Sequence, residues 1–350
     1  MRTNILAGCA ALACILPAAQ APAAAPHPAA DVLQTAASAT PLAQRSLING
    51  LGAAGQRLVA VGQRGHILYS DDHGRTWQQA RVPVSSDLLA VHFPTPQLGW
   101  AVGHDGVVLH SADGGASWAL QLDGRQAARS MQSFYQQMGD ARLAEEGRRN
   151  VELGPDKPFL DVWFADSQRG YIVGAFGLLF RTEDGGRHWQ PLQHLADNPG
   201  GLHLNAIRPV GSVLYVVGEQ GLVLRQGAGE ERFSALVTPY KGSFFGVVGS
   251  GQVVLAFGLR GNAFRSTDGG QHWSKVETGV PAGLTAGTLL PDGRMVLVSQ
   301  GGHVLASSDQ GASFTRLAAR PAHAAAVLAD GKDGLLIGGA RGLRSQVLDK

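Results

Sequence analysis

Cysteine is nearly missing from this chain. Cys9 and Cys14 are the only two, and both fall within the first fourteen residues. Once that stretch is removed, no disulfide, thiol nucleophile or thiolate metal site can exist. Lysine is also scarce: Lys157, Lys241, Lys275, Lys332 and Lys350 are five among 29 basic residues. The formal net charge is only +2 and the signs are interspersed. No basic block exists to track a phosphate backbone, which argues against nucleic acid. Aromatics make up 7% and recur at fixed positions, which argues against a stacking platform for single strands. Beyond the N-terminus no apolar run is long enough to span a bilayer.

The first 25 residues read as an export signal: Arg2, an apolar core from Ile5 to Leu16, then small residues through Ala25. Cleavage is expected after Ala21 or Ala25. The stretch Leu6-Ala7-Gly8-Cys9 looks like a lipidation box behind a short apolar run, so lipidation at Cys9 or Cys14 stays open. The excess of Arg over Lys points to a GC-rich bacterial genome, and the expected location is the periplasm. Residues 26–43 form an Ala/Pro-rich lead-in.

Glycine is what the chain has in excess, 48 residues, and it is periodic. Four stretches share one pattern: Val61 to Trp77, Val102 to Trp118, Val173 to Trp189 and Phe257 to Trp273. In each, the first Gly of a Gly-x-x-Gly precedes the Trp by 15 residues. Weaker copies start at Gly218, Ser299 and Gly339, so the seven start positions lie 41, 71, 44, 40, 41 and 40 apart. A period near 40 with short apolar strands and Gly-rich turns predicts an all-β, seven-bladed β-propeller over residues 44–350, four strands per blade. In the third repeat, strands are expected at Leu160 to Ala165, Gly170 to Gly174, Leu178 to Thr182 and His188 to Leu192. The last copy lacks a fourth strand, and Asp31 to Gln44 in the lead-in is expected to supply it and close the ring.

A second motif, Ser/Thr-x-Asp-x-Gly-x-x-Trp/Phe, places Asp72, Asp113, Asp184, Asp268 and Asp309 in five hairpin turns. Asp and Ser side chains accept backbone N–H bonds in turns, and the aromatic packs across the blade. This motif resembles the Asp-box, or bacterial neuraminidase repeat. A calcium loop needs several carboxylates, and each turn offers one. The fourth repeat has lost the Asp.

The long interval marks an insertion at about 121–157. Arg125 to Asn150 lacks Pro and favours helix, with Ala127, Met131, Phe134 and Met138 as one apolar stripe. Two outcomes stand: a helix laid stripe-down on the propeller, or a partner-docking lid.

Alternation of strand direction puts the insertion and the Gly-x-x-Gly turns on one face and the Asp turns on the other. Variable residues between the paired glycines are where a rigid ring carries function. The candidate partner-binding residues are Arg64, Asp105, Gln220, Arg260, Asn262 and Arg341. Arg64, Arg260 and Arg341 all stand just before the second Gly. They are either solvated surface side chains or a patch for a carboxylate tail or an acidic peptide.

Leu160 to Trp189 reads Leu-x-Asp-Val-x-Phe-x-Asp, then Gly-Tyr-x-Val-Gly, then Arg-Thr-x-Asp-Gly-Gly-x-x-Trp. With Gln97 to Gly103 in the second repeat, it resembles the photosystem II stability/assembly factor family, from about Leu47 onward. The resemblance implies an exported seven-bladed propeller without catalysis or cofactor. In phototrophs such proteins bind an assembling reaction-centre membrane subunit, partly through an arginine patch. Arg260-Gly261-Asn262 looks like part of one, and Arg341-Gly342 like another. Relatives in non-phototrophs look like periplasmic accessories of membrane transporters. The implied partner is a membrane protein, or its exposed tail or loop, with the chain at most peripheral to the membrane.

The enzyme alternative is a sialidase-like glycoside hydrolase, which shares the Asp-box. It needs an arginine triad, a Tyr–Glu nucleophile pair and an Asp acid, and Tyr240 is the one tyrosine to test. His104, His110, His188, His272 and His303 show no metal-ligand spacing. His188 and His272 share one repeat slot, a structural sign.

Overall fold

The computed structural model describes residues 30–317 and 322–348. The proposed signal segment lies outside them. Among the described residues, seven antiparallel sheets follow one another in chain order, blades I to VII at 48–79, 88–122, 159–191, 204–236, 244–276, 284–316 and 326–347, as a seven-bladed propeller requires. Blade I is Ile48–Ala54, Arg57–Gly62, Ile67–Ser70 and Gln78–Gln79. Blade III is Phe159–Phe164, Gly170–Gly174, Leu179–Thr182 and Gln190–Pro191, within two residues of expectation at each end.

The second strand of each blade is the most apolar, and burial explains it. Gly99–Gly103, Val253–Gly258 and Met295–Ser299 are buried at every residue. Such a strand is covered on both faces by neighbouring blades, so it shows no alternation. Trp118 shows how the repeat aromatic works. It is 7% exposed, its Nε1 donates to the Gly115 carbonyl at 3.0 Å, and its ring meets Phe93 edge-on at 5.8 Å.

Polar side chains on the first strands stitch one blade to the next. Asn49 donates to the Leu88 carbonyl (2.9 Å), Asn205 to that of Phe244 (2.7 Å) and Thr285 to that of Ala324 (2.9 Å). His92 Nδ1 accepts the Phe164 N–H at 3.2 Å. Buried Asp161 accepts the Ile207 N–H at 2.8 Å and pairs with Arg208. Asn49, Asn205, Arg208 and Thr285 also line a cavity of about 180 Å³ along the first strands.

Among the described residues, the lead-in does not close the ring with a strand. Blade VII is three-stranded: Ala326–Asp330, Gly334–Gly339 and Gly342–Val347. Residues 31–42 run along blade I instead. Ser85 N–H donates to Val32 (2.9 Å), Ala37 N–H to Val82 (3.1 Å) and Thr40 N–H to Gln79 Oε1 (2.9 Å). Val82 and Val84 give Leu33 an apolar seat, where it is 6% exposed, and Pro41 cannot donate to a ladder.

The insertion is two helices, α1 (Gly124–Met138) and α2 (Ala141–Leu153). Gly139 ends α1 in the left-handed region (φ 79°) and Asp140 caps α2 by accepting the Leu143 N–H. Asp123 and Gln126 form a capping box at the start of α1. The buried stripe is Ala127, Ala128, Met131 and Tyr135, while Met138 is exposed. Tyr135 displaces Phe134 from the expected stripe because its hydroxyl can donate to Gln193 Oε1 at 2.8 Å. The stripe packs down among Phe159, Phe180 and Trp189 of blade III.

Trp118→Ala is expected to destabilise the fold by about 3–5 kcal/mol. Urea unfolding monitored by circular dichroism measures it, and a loss below about 1 kcal/mol contradicts the packing of Trp118 in its blade.

Candidate functional site

The Gly-x-x-Gly turn is built by crowding. A Cβ on Gly62 meets the Leu47 carbonyl at 2.0 Å, and one on Gly65 (φ 71°) meets that of Val84 at 2.2 Å. The residue before the second Gly is left-handed in five blades: Arg64 (φ 56°), Asp105 (58°), Phe176 (55°), Gln220 (53°) and Arg260 (57°). These tips crown the ring on the insertion's face, since Gly106 of one turn abuts Gly124, the first residue of α1.

The tips divide the face. Arg260, Arg341 and Arg64 stand on blades V, VII and I, each exposed. None makes a salt bridge among the described residues, although the Asp87 carboxylate accepts the Arg64 backbone N–H at 2.7 Å. Arg341 and Arg64 are on adjacent blades, and Arg260 is two blades from Arg341. No hydrogen bond joins the three. Asp105 is half-buried beside the start of α1 and Gln220 is exposed on blade IV. Asn262 is occupied: its amide donates to the Leu259 carbonyl at 2.9 Å, which holds the turn below Arg260.

Tyr240 donates to the same carbonyl at 3.1 Å, and its ring packs against Phe244 and Phe264. No carboxylate contacts its hydroxyl among the described residues, so it braces the Leu259 turn instead of meeting the nucleophile requirement of a sialidase.

The five aspartates occupy the opposite face. Asp72 Oδ1 accepts Ser70 Oγ–H (2.8 Å) and Thr76 N–H (2.8 Å), and Oδ2 accepts Thr76 Oγ1–H (2.6 Å). Ser117 does the same for Asp113 and Ser313 for Asp309. His188 and His272 fill that slot at Asp184 and Asp268, with Nδ1 contacts of 2.6 and 2.7 Å. Both oxygens are thus taken by donors, and no group of three or more His, Cys, Asp or Glu gathers for a metal among the described residues. Blade IV keeps the turn by other means. Glu230 accepts the Gly227 N–H at 2.9 Å and pairs with Arg225. The carboxylate comes from a different position, so the motif hid it.

Donors around a carboxylate stabilise its charged form. The hydroxyl and N–H of Thr76 hold Asp72 down at about 2. At Asp184 burial pushes upward, but the His188 N–H and ring outweigh it and the carboxyl also falls to about 2. Asp268 and Asp309 are held below the usual carboxylate range, chiefly by the His272 N–H and by the Ser313 hydroxyl. A depressed folded-state pKa means the unfolded chain binds more protons in acid. The stabilisation is full above about pH 4 and is lost as pH falls toward about 2. The urea midpoint is expected to drop over that window, and less steeply in an Asp72→Asn/Asp309→Asn variant. Equal slopes in the two proteins would show that these turns do not carry the acid sensitivity.

The sequence comparisons place the repeat in a known family. The family described as "Photosynthesis system II assembly factor YCF48" matches residues 69–136 and 141–322. The "Photosystem II assembly lipoprotein Ycf48" of Synechococcus sp. (strain CC9902) is 24% identical over 165 residues, 46% of this chain and 49% of that protein. The "Photosystem II assembly protein Ycf48" of Synechococcus sp. (strain JA-2-3B'a(2-13)) is 31% identical over 160 residues, 40% of this chain and 46% of that one. The chain thus spans about half the length of the curated relatives it matches. A solved structure titled "YCF48 bound to D1 peptide" superposes with a TM-score of 0.65 at 16% identity, over 88% of this chain and 95% of that one. With the matched segments running from the first blade through the sixth, the chain belongs to the photosynthesis system II assembly factor YCF48 family.

Proposed function

We propose that this chain is an exported, non-catalytic scaffold that holds an exposed tail or loop of a membrane protein while its complex is assembled or stabilised. The observation that carries this reading is the arc of Arg260, Arg341 and Arg64. These are three exposed guanidinium groups on one face of a rigid ring, none of them in a salt bridge among the described residues. Arginine forks suit carboxylates, so the fitting partner is an acidic segment. The relatives' names as assembly factors support binding over catalysis, and the relative solved with a D1 peptide supports a membrane-protein segment as ligand. The work is done in the periplasm, peripheral to the membrane and without a cofactor. In a host without photosystems, the partner is a membrane transporter that the chain serves as an accessory.

Affinity capture from detergent-solubilised membranes tests this. Wild type is expected to retain an integral membrane protein that an Arg64/Arg260/Arg341→Ala variant loses. Equal retention removes the arginine arc from the interface, and no retention by wild type removes the scaffold function. Export has its own test. The protein is expected in the periplasmic fraction with a mature N-terminus at residue 22 or 26, and recovery in the cytoplasm with Met1 intact contradicts it.

A further inference from the structure

Phe176 is the anomaly on the insertion's face. It is the one aromatic among the five left-handed tips, and a bulky residue at φ 55° is a backbone outlier. Its ring is half exposed. A glycine there would relieve the backbone, so the ring is kept at a conformational cost, and such outliers gather at ligand sites.

The ring forms the floor of a groove of about 450 Å³ between α2 and the connection from blade III to blade IV. That volume is in the range of small ligand sites, roughly 300–1,000 Å³. Leu153, 65% exposed at the end of α2, supplies a second apolar wall. Three cations line the groove. Arg142 is answered by Glu146 and Arg149 by Glu145. Lys157 is not: its Nζ donates to Asn150 Oδ1 and sits 4.9 Å from the Phe176 ring centroid, with no carboxylate partner among the described residues. A held, partly buried ammonium beside an apolar floor complements a segment that presents an acid next to an apolar side chain.

We infer that this groove is a second recognition site, which binds an extended peptide segment through an Asp or Glu at Lys157 and a neighbouring Leu or Phe packed on Phe176 and Leu153. This rests on the proposed function, in which the partner is a membrane-protein tail or loop. It adds a contact on blades III and IV, away from the arginines of blades V, VII and I. The arginines accept acid alone, whereas the groove requires acid and apolar group side by side, and so supplies sequence selectivity.

The probe is an array of synthetic octapeptides carrying one Leu or Phe and one Asp or Glu at varied separation, with Lys-for-acid counterparts. The full-length mature protein is applied as wild type, Phe176→Gly, Lys157→Glu and Arg64/Arg260/Arg341→Ala. Wild type is expected to retain peptides with adjacent acid and apolar residues. Phe176→Gly is expected to weaken them about tenfold, equivalent to about 1.4 kcal/mol, while its melting temperature stays at or above wild type because glycine suits φ 55°. Lys157→Glu is expected to turn the preference toward the Lys peptides. The triple arginine variant is expected to keep the adjacency preference. The groove site is overturned if wild type retains no peptide or shows no acid preference, or if Phe176→Gly binds equally well. It is overturned also if Phe176→Gly melts below wild type, since the ring is then structural. Membrane capture lost only in the arginine variant, with array binding indifferent to Phe176, leaves the proposed function standing and removes the groove alone.

Discussion

The ring stands on the grip of each blade on the next. A blade alone is a small sheet with two apolar faces, and only its neighbours can cover both. Burial of the second strands drives the association, but strands buried on both faces carry no polar–apolar alternation to mark how one blade sits on the next. The first-strand side chains supply the register. Asn49, His92, Asp161, Asn205 and Thr285 each reach one specific backbone group on the following blade. These bonds satisfy buried polar groups that would otherwise be costly, so a slipped pairing loses more than packing. Asp161 and Arg208 are the extreme case, an ion pair whose carboxylate is also fixed by the Ile207 N–H.

Everything outside the sheets is organised by that rigidity. The two faces are chemically different because the two kinds of turn solve different problems. The Asp turns wrap a carboxylate in donors, which fill three of its four acceptor positions at Asp72. The Gly-x-x-Gly turns solve theirs with space and handedness, braced by side chains from outside the tip such as Thr238 on the Gly221 carbonyl and Thr278 on that of Gly261, each at 2.7 Å. Their tip side chains are therefore free of structural duty, with Asn262 at a turn's exit as an instructive exception. Side chains vary most freely where the fold makes no demand on their chemistry.

Much of this was legible in the sequence, because the fold's requirements fall on residue types with sharp signatures. The fixed interval from Gly62 to Trp77 or Gly174 to Trp189 reports a strand, a turn and an aromatic seat together. What stayed hidden depended on contacts between distant segments or on backbone handedness. The lead-in carried no signal that Val82 and Val84 offered Leu33 a better seat than blade VII's edge. Tyr135 outranked Phe134 through a hydroxyl partner 58 residues away. The Gly139-Asp140 break between the helices was readable as a stop and a cap, yet the continuous stripe obscured it. Phe176 lay in plain view between two glycines, but only the dihedral angle separates it from an ordinary surface aromatic.

The left-handed tips have an evolutionary corollary. A site whose backbone sits near φ 55° excludes β-branched side chains on steric grounds and favours Gly, Asn and Asp. The crown of tips can therefore vary only within a restricted alphabet. Long flexible side chains such as Arg and Gln, or an acid, enter at modest strain, whereas Val, Ile and Thr are shut out. Variation at the crown is then expected to come by exchange of charge and reach, while aliphatic surface has to be imported from outside the tips, as the insertion does by bringing exposed Leu153 alongside Phe176.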